Sequence, residues 1–402
     1  MRPYHGRRIL LGVTGGIASY KSAWLARLLV KAGAELDVVL TRSATEFIGA
    51  ITFEALTGRA PHTSLFGVGH ALDHIKLARR AEAIVIAPAT ADFMARAAHG
   101  QADDLLTACL LATEAPVLLV PAMNDRMWAH PQVQRNAIHL REIGYQVLEP
   151  DEGMLAAGEG SGPGRMPEPD AIFAHVGRLL EADPVLQGRR IVVTAGPTRE
   201  PVYPVRFLSN RSSGRMGVAI AEAAWRRGAS VALIAGPLSV PLPIGLDVTH
   251  VETTEEMASA VRDALPTADA LVMAAAPADF RAEQPADHKI KKQTRPAQLA
   301  LTSTPDILSV TRDARRAGAV VVGFALETRD ALAAGRSKLV AKGLDMIVVN
   351  DATEPGAGFG VETNRVSFVH ASGDEEHLEL LPKTEVADAI LDRVAARLAN
   401  RG

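Results

Sequence analysis

Residues 193–217 read VTAGPTREPVYPVRFLSNRSSGRMG. An apolar run, Arg190 to Thr194, leads into the stretch, and a helical pattern, GVAIAEAAWRRGA, leads out of it. A strand, a glycine-containing loop and a helix N-terminus, in that order, present backbone N–H groups to an anion. Gly196, Gly214 and Gly217 permit close backbone approach, and Arg199, Arg206, Arg211 and Arg215 add fixed positive charge. Asn210, Ser212 and Ser213 supply short polar donors. The competing reading is an ordinary polar loop. Four arginines in one strand-to-helix loop argue instead for an anion to hold.

The same unit recurs along the chain. Ile9 to Val13 is followed by TGGIASYK and an amphipathic helix to about Lys31, and Glu35 to Leu40 is the next strand. Ile84 to Ala87 and Val117 to Val120 are further strands with helices between them. At the second half, GRRIVVTAG echoes GRRILLGVTGG, and strands follow at Ser230–Ala235, Asp269–Ala274, Val320–Ala325 and Asp345–Asn350. Strands alternating with helices predict α/β architecture: two doubly wound, Rossmann-like domains. PEPDAIFAHVGRLL closes the first and a short polar connector follows, so the expected organisation is 1–181, a linker at 182–188, and 189–402.

Ligands of such sheets sit beyond the carboxyl ends of the strands. Gly15, Gly16, Ile17 and Ala18 follow the first strand and open a helix. Neither half carries G-x-G-x-x-G, which disfavours a nicotinamide oxidoreductase, and Gly-Gly at a helix start suits a mononucleotide such as FMN. Thr41 and Ser43 follow the second strand, within reach of the same phosphate. Thr90 and Ala91 follow a later strand, where small residues leave room for a flat ring, and Met123 and Asn124 follow the next. His74, in LDHIKLAR, is by itself more readily a core or surface residue than a base. In the second half Asp279 follows a strand and suits a cation, a ribose hydroxyl or plain solvent. His288-Lys289-Ile290-Lys291-Lys292 is either a solvated charged face or a means of neutralising a triphosphate. The segment 280–300 reads as a hairpin or flap, and Thr304 as the N-cap of a helix with Pro305 in its first turn.

Bulk properties bound the function. With 402 residues, 48% hydrophobic and 22% charged, the chain has ample core for two domains. A net charge of −3 argues against a broad nucleic-acid surface. A single cysteine, Cys109, excludes an intrachain disulfide and a cysteine-based metal site. No apolar run has the length of a membrane span and none at the start reads as a signal peptide, so the expected compartment is the cytoplasm and no membrane partner is expected.

AGPTREP with PVRFLSNRSSGRMG, then AAAPADF, HKIKK, TPDIL, GFALET and KGLDMIVVND, resemble the phosphopantothenate–cysteine ligases over residues 189–402. GGIASYK, HIKL, APATAD, HGQADDLLTACLLA, PAMND and GPGRM resemble the flavin-containing cysteine decarboxylases over residues 7 to about 175. In most bacteria the two are fused in one enzyme of coenzyme A biosynthesis. The resemblance implies a ligase that joins cysteine to 4′-phosphopantothenate through an acyl-cytidylate, using CTP and Mg2+, and an FMN-dependent decarboxylase that yields 4′-phosphopantetheine. It implies His74 and Asn124 as catalytic in the first half, and Gly15, Gly16, Ile17, Ala18, Thr41, Ser43, Thr90, Ala91 and Met123 at FMN. In the second half it implies Asn210 and Lys289 as catalytic, with Arg206, Asn210 and Ala276 at the acyl substrate. The CTP positions are Met273, Ala274, Ala275, Asp279, Lys289, Pro305, Asp306, Ile307, Leu308, Phe324, Lys338 and Lys342, with Asp279 at the metal. It further implies a homo-oligomer, a dodecamer built from trimers and dimers.

Three positions depart from the family pattern. Ala157 stands where a flap cysteine commonly supplies a proton, leaving Glu159, water, a slowed half-site or a changed residue as the open explanations. Tyr203 stands in place of aspartate and Pro277 in place of valine. One alternative is therefore an active ligase with a decarboxylase half that is impaired or halts at the ene-thiol. A non-enzymatic flavin-binding regulatory subunit is a further alternative, which the intact ligase half opposes.

Overall fold

The computed structural model describes residues 3–66, 72–155, 158, 160–289, 298–327, 330–351, 356, 358 and 360–401. The chain folds as two compact units, Met1–Glu181 and Ala182–Gly402.

The first unit is built on strands β1 (Arg8–Val13), β2 (Glu35–Leu40), β3 (Ala83–Ala89), β4 (Val117–Pro121) and β5 (Gln146–Val147). They form one sheet ordered β2-β1-β3-β4-β5, and every pairing is parallel. Strands β3 and β4 are buried along their whole length, as expected of parallel strands covered on both faces. The helices are α1 (Ser19–Lys31), α2 (Ala50–Thr57), α3 (Asp73–Arg80), α4 (Ala91–Ala98), α5 (Leu105–Ala112), α6 (Asp125–Trp128), α7 (Pro131–Glu142) and α8 (Pro169–Leu180). Leu25, Phe53, Ile172 and Val176 from α1, α2 and α8 make the core on one face. Leu77, Phe93, Leu106 and Leu140 from α3, α4, α5 and α7 make the core on the other. The order reverses between β1 and β3, and the crevice at such a reversal is where mononucleotides bind in this topology. An antiparallel hairpin, β6 (Asp151–Met154) with β7 (Ser161–Arg165), follows the sheet.

The second unit has an eight-stranded sheet ordered β12-β11-β8-β13-β16-β17-β19-β20. These strands are β8 (Arg190–Ala195), β11 (Ser230–Ala235), β12 (Asp247–His250), β13 (Ala270–Met273), β16 (Val320–Glu327), β17 (Met346–Asp351), β19 (Ser367–His370) and β20 (Glu375–His377). The pairings are parallel up to β17 and antiparallel from there to the edge. Three short antiparallel pairs lie outside the sheet: β9 (Arg199–Tyr203) with β10 (Arg206–Ser209), β14 (Phe280–Ala282) with β15 (Leu301–Ser303), and β18 (Thr363–Asn364) with β21 (Leu381–Pro382). The helices are α9 (Arg215–Arg226), α10 (Thr254–Ala264), α11 (Ile307–Val310), α12 (Ala331–Lys342) and α13 (Lys383–Arg401). Buried Asp388 of α13 takes Arg226 Nη2 at 2.8 Å and fixes the terminal helix against α9.

Two local expectations need correction. The arginine-rich stretch is not one loop, because residues 199–209 fold into the β9–β10 hairpin. Arg199 lies over the Phe207 ring and Arg206 over the Tyr203 ring, at 4.7 and 5.4 Å, so two of the four arginines are spent on the hairpin's own rings. Thr304 does not cap the following helix. Asp306 does, its Oδ1 accepting from Ser309 N at 3.2 Å, while the Thr304 hydroxyl donates to the Ala278 carbonyl at 2.5 Å. Thr304 lies two residues ahead of the N-cap position, and its hydroxyl is committed to that carbonyl.

Candidate functional sites

The first cavity, about 440 Å³, lies beyond the carboxyl ends of β1, β3 and β4. It is lined by Gly15, Gly16, Ile17 and Ala18 from the first strand end, Thr90 and Ala91 from the third, and Met123 and Asn124 from the fourth. Met154 and Leu155 from the hairpin side, with Gly164, Arg165 and Met166, complete the wall. Local hydrogen bonds explain the convergence. The Thr14 hydroxyl donates to the Pro88 carbonyl at 2.8 Å and accepts from Thr90 N at 3.2 Å, locking the two strand ends together. Ser22 on α1 donates to the Ala87 carbonyl. Gly15 packs so tightly that a Cβ would meet Ser43 Cβ at 2.3 Å, and Ser43 therefore backs the glycine turn instead of lining the cavity. Thr41 Oγ1 accepts from Ala44 N at 3.2 Å and is likewise outside the lining. Helix α1 opens after Ala18 with no side-chain cap; Ser19 N and Lys21 N donate to the Gly16 and Ala18 carbonyls at 3.0 Å, which leaves the Tyr20 amide as its first-turn donor to the cavity.

The PAMN loop and the hairpin meet at glycine. A Cβ on Gly164, at φ +148°, would lie 2.2 Å from the Met123 carbonyl oxygen, which explains the G-x-G-R-M spacing. Asn124 Oδ1 caps α6 by accepting from Arg126 N at 3.0 Å, leaving its amide nitrogen for the cavity. Lys21, 5% exposed, reaches from α1 to the Met166 carbonyl at 2.7 Å and Glu168 at 3.1 Å. His74 lies on α3 and is not part of the lining, and its buried Nδ1 has no hydrogen-bond partner among the described residues. Cys109 is fully buried in α5, and burial pushes its thiol up to about 12, so it is a core residue. Ala157 and Glu159 lie outside the described residues.

The second cavity, about 320 Å³, lies at the start of α9. It gathers Asn210 and Ser212 to Gly217 with Ala274 to Pro277 and Asp279 beyond β13, Phe324 of β16 and Lys338 of α12. Gly214 caps α9 at φ +81° with no side-chain acceptor, again leaving first-turn donors to the cavity. Asn210 Nδ2 donates to the Ala276 and Pro277 carbonyls at 3.0 and 2.9 Å, tying the two loops together. Lys338 pairs with Glu327 at 2.6 Å. The remaining expected residues are not in the lining. Met273 is buried, Arg206 lies on the hairpin, and Lys289 is exposed ahead of residues 290–297, which include Lys291 and Lys292 and are outside the described set. Pro305 to Leu308 and Lys342 lie outside the lining too, with Lys342 paired to Asp306 at 2.9 Å. Burial pushes the Asp306 carboxyl up, but the Lys342 ammonium and the Ser309 amide outweigh it, and the net shift is down. Among the described residues no group of three His, Cys, Asp or Glu could hold a metal.

Sequence reasoning missed Leu326, Asn350, Gly358, Asn364 and Lys383, which also line this cavity. Asn350 Nδ2 donates to Asn364 Oδ1 at 3.2 Å. Lys383 is 7% exposed and lies some 170 residues from the arginine-rich loop, so no local pattern flags it.

Residues 1–181 match the family described as flavoprotein, and residues 186–398 match the DNA/pantothenate metabolism flavoprotein C-terminal domain. The coenzyme A biosynthesis bifunctional protein CoaBC of Mycobacterium tuberculosis is 45% identical over 408 residues, covering 98% of this chain and 97% of that protein. The chain belongs to the CoaBC family. The CoaBC protein of Bacillus subtilis is 43% identical over 397 residues, covering 98% of this chain and 97% of that one. Among solved structures, the C-terminal domain of a CoaBC protein is 35% identical, covering 54% of this chain and all of that one, with a TM-score of 0.47. As a CoaBC protein, the chain is a bifunctional enzyme of coenzyme A biosynthesis with a decarboxylase and a ligase domain. Among the described residues no helix is long and apolar enough to cross a membrane.

Proposed function

We propose that residues 1–181 are an FMN-dependent phosphopantothenoylcysteine decarboxylase, that 182–188 link the halves, and that 189–402 are the CTP-dependent ligase supplying its substrate. The observation that carries this reading is a pair of cavities, each beyond parallel strand ends at a helix start without a side-chain cap. Such a start accepts phosphate. The second cavity carries Arg215, Lys338 and Lys383, one cation more than the Lys21 and Arg165 of the first, which favours the more highly charged phosphate chain there.

In the first cavity, Gly15 to Ala18 hold the FMN phosphate, while Thr90, Ala91 and Met123 border the ring. Bound FMN would take two electrons from the thiol-bearing carbon, which lets carbon dioxide leave, and would return them to the resulting ene-thiol, so the overall step is redox-neutral. The Asn124 amide nitrogen orients the departing carboxylate, and His74, which stands outside this lining, has the role of base on the family resemblance alone. Thr41 and Ser43 act by shaping the Gly15 turn.

In the second cavity, the 4′-phosphopantothenate carboxylate attacks the α-phosphorus of CTP and expels pyrophosphate. The cysteine amine then attacks the acyl carbon and expels CMP. This order meets a chemical need, because a carboxylate oxygen leaves only once it carries a nucleotide. Ala274, Ala275, Phe324 and Lys338 would hold the nucleotide, and Asp279 is the carboxylate that would meet a Mg2+ ion arriving with it. Asn210, with its nitrogen engaged by two carbonyls, offers Oδ1 to the acyl substrate, with Ala276 beside it and Arg206 nearby. Lys289 neutralises charge from the 280–300 segment. The family resemblance supports cytoplasmic homo-oligomers of trimers and dimers, and Ile17, Tyr20 and Trp24, 69%, 65% and 53% exposed beside the first cavity, supply apolar surface for such packing.

The test is mass spectrometry of products from phosphopantothenoylcysteine, with the flavin spectrum recorded and CTP-dependent pyrophosphate release assayed on the same protein. Loss of carbon dioxide alone, with flavin returning to its oxidised form, is expected. Loss of carbon dioxide and two hydrogens, with reduced flavin, places the halt at the ene-thiol and traces it to Ala157. Absence of pyrophosphate release would sink the ligase assignment.

A further inference from the structure

Lys383 opens α13, the terminal helix, yet its side chain lines the second cavity and is 7% exposed. Its Nζ donates to the Gly358 carbonyl at 3.0 Å and the Val361 carbonyl at 2.7 Å. An ammonium has three donors, so one remains uncommitted among the described residues. Neither acceptor carries charge. The neighbouring carboxylate, Glu362, is taken by Arg215 Nη1 at 2.7 Å. Arg215 lines the same cavity, and its buried Nε has no hydrogen-bond partner among the described residues. Burial pushes the Lys383 ammonium below its ordinary value, and the Arg215 charge pushes it the same way while Glu362 opposes. A buried cation held only by neutral carbonyls beside a second cation is costly unless something negative joins it.

We propose that Lys383 is an anion-binding residue of the second cavity, positioned by the Gly358 and Val361 carbonyls so that its free N–H and charge meet the phosphate chain of a nucleotide alongside Arg215. This rests on the ligase reading for the identity of the nucleotide. The binding of a polyphosphate does not.

The competing role is a staple that only holds the Gly358 and Val361 carbonyls. Two variants of the full chain separate them. Lys383→Gln keeps a donor for the carbonyls and loses the charge, and Lys383→Met loses both. The probe is inorganic triphosphate, titrated calorimetrically without other substrates. Both variants are expected to bind at least tenfold more weakly than the natural chain. Lys383→Gln binding like the natural chain overturns the proposal, as does a natural chain that binds no triphosphate. If the variants do not fold, the natural chain with 13C-labelled lysines decides: the Lys383 side-chain signal shifts on adding triphosphate, and an unmoved signal overturns the proposal. Triphosphate binding through Lys383 without pyrophosphate release from CTP would leave this inference standing and remove the ligase reading. Pyrophosphate release with unimpaired triphosphate binding in Lys383→Gln would do the reverse.

Discussion

Asp104 shows how much one side chain does between two helices. It caps α5, its Oδ1 accepting from Thr107 N at 2.8 Å, and its Oδ2 takes Arg96 Nη1 of α4 at 2.7 Å. Burial pushes its carboxyl up, but the Thr107 amide and the Arg96 guanidinium outweigh that, so the net shift is down from 3.8. A carboxyl depressed in the folded state stabilises above its unfolded pKa, and that contribution is lost as pH falls through the folded value. The first unit's thermal midpoint is therefore expected to fall on acidification below about pH 4. Asp104→Asn keeps a capping side chain but no charge. At pH 7 it should be less stable by about 1 kcal/mol, with a shallower acid decline. Parallel acid profiles for the two proteins would remove Asp104 as the cause. The cap was legible in the HGQADDLLTACLLA run, since Asp precedes an apolar helix. Its pairing with Arg96 was not, because that contact depends on how α4 and α5 cross.

At the scale of elements, the β6–β7 hairpin closes the first cavity, and its position depends on Gly164. A methyl there meets the Met123 carbonyl at 2.2 Å on a backbone at φ +148° that side chains rarely adopt. Gly164→Ala is expected to lower decarboxylation at least tenfold while pyrophosphate release from CTP stays within twofold, a loss of about 1.4 kcal/mol confined to one reaction. Equal loss of both activities would show that the hairpin serves more than the first cavity. The last glycine of the GPGRM motif is in close contact with the PAMN loop. The arginine-rich stretch shows the opposite limit. Its glycines and helix start were read correctly, but Pro201 and Pro204 hid an antiparallel pair from any search for alternation.

At the scale of the molecule, each unit has its own cores, the first on both faces of its five-stranded sheet. Calorimetry should record two unfolding transitions. Lys21→Met removes the donor to the Met166 carbonyl and to Glu168, and should lower only one of them, by the equivalent of about 1.5–3 kcal/mol. A shift of both would mean that the units unfold as one. The sequence by itself determined the α/β class, the division near residue 181, the two glycine-bearing strand ends and the residues beyond β13, because period, loop chemistry and strand-end placement are local properties. Only the tertiary structure decided which residues share a cavity. It set Lys21 against a carbonyl 145 positions away, brought Lys383 to the arginine-rich loop, and left His74, Lys342 and Met273 out of the linings. Those outcomes follow from the packing of helices on sheets, where side chains distant in the chain compete for the same buried donors, acceptors and charge.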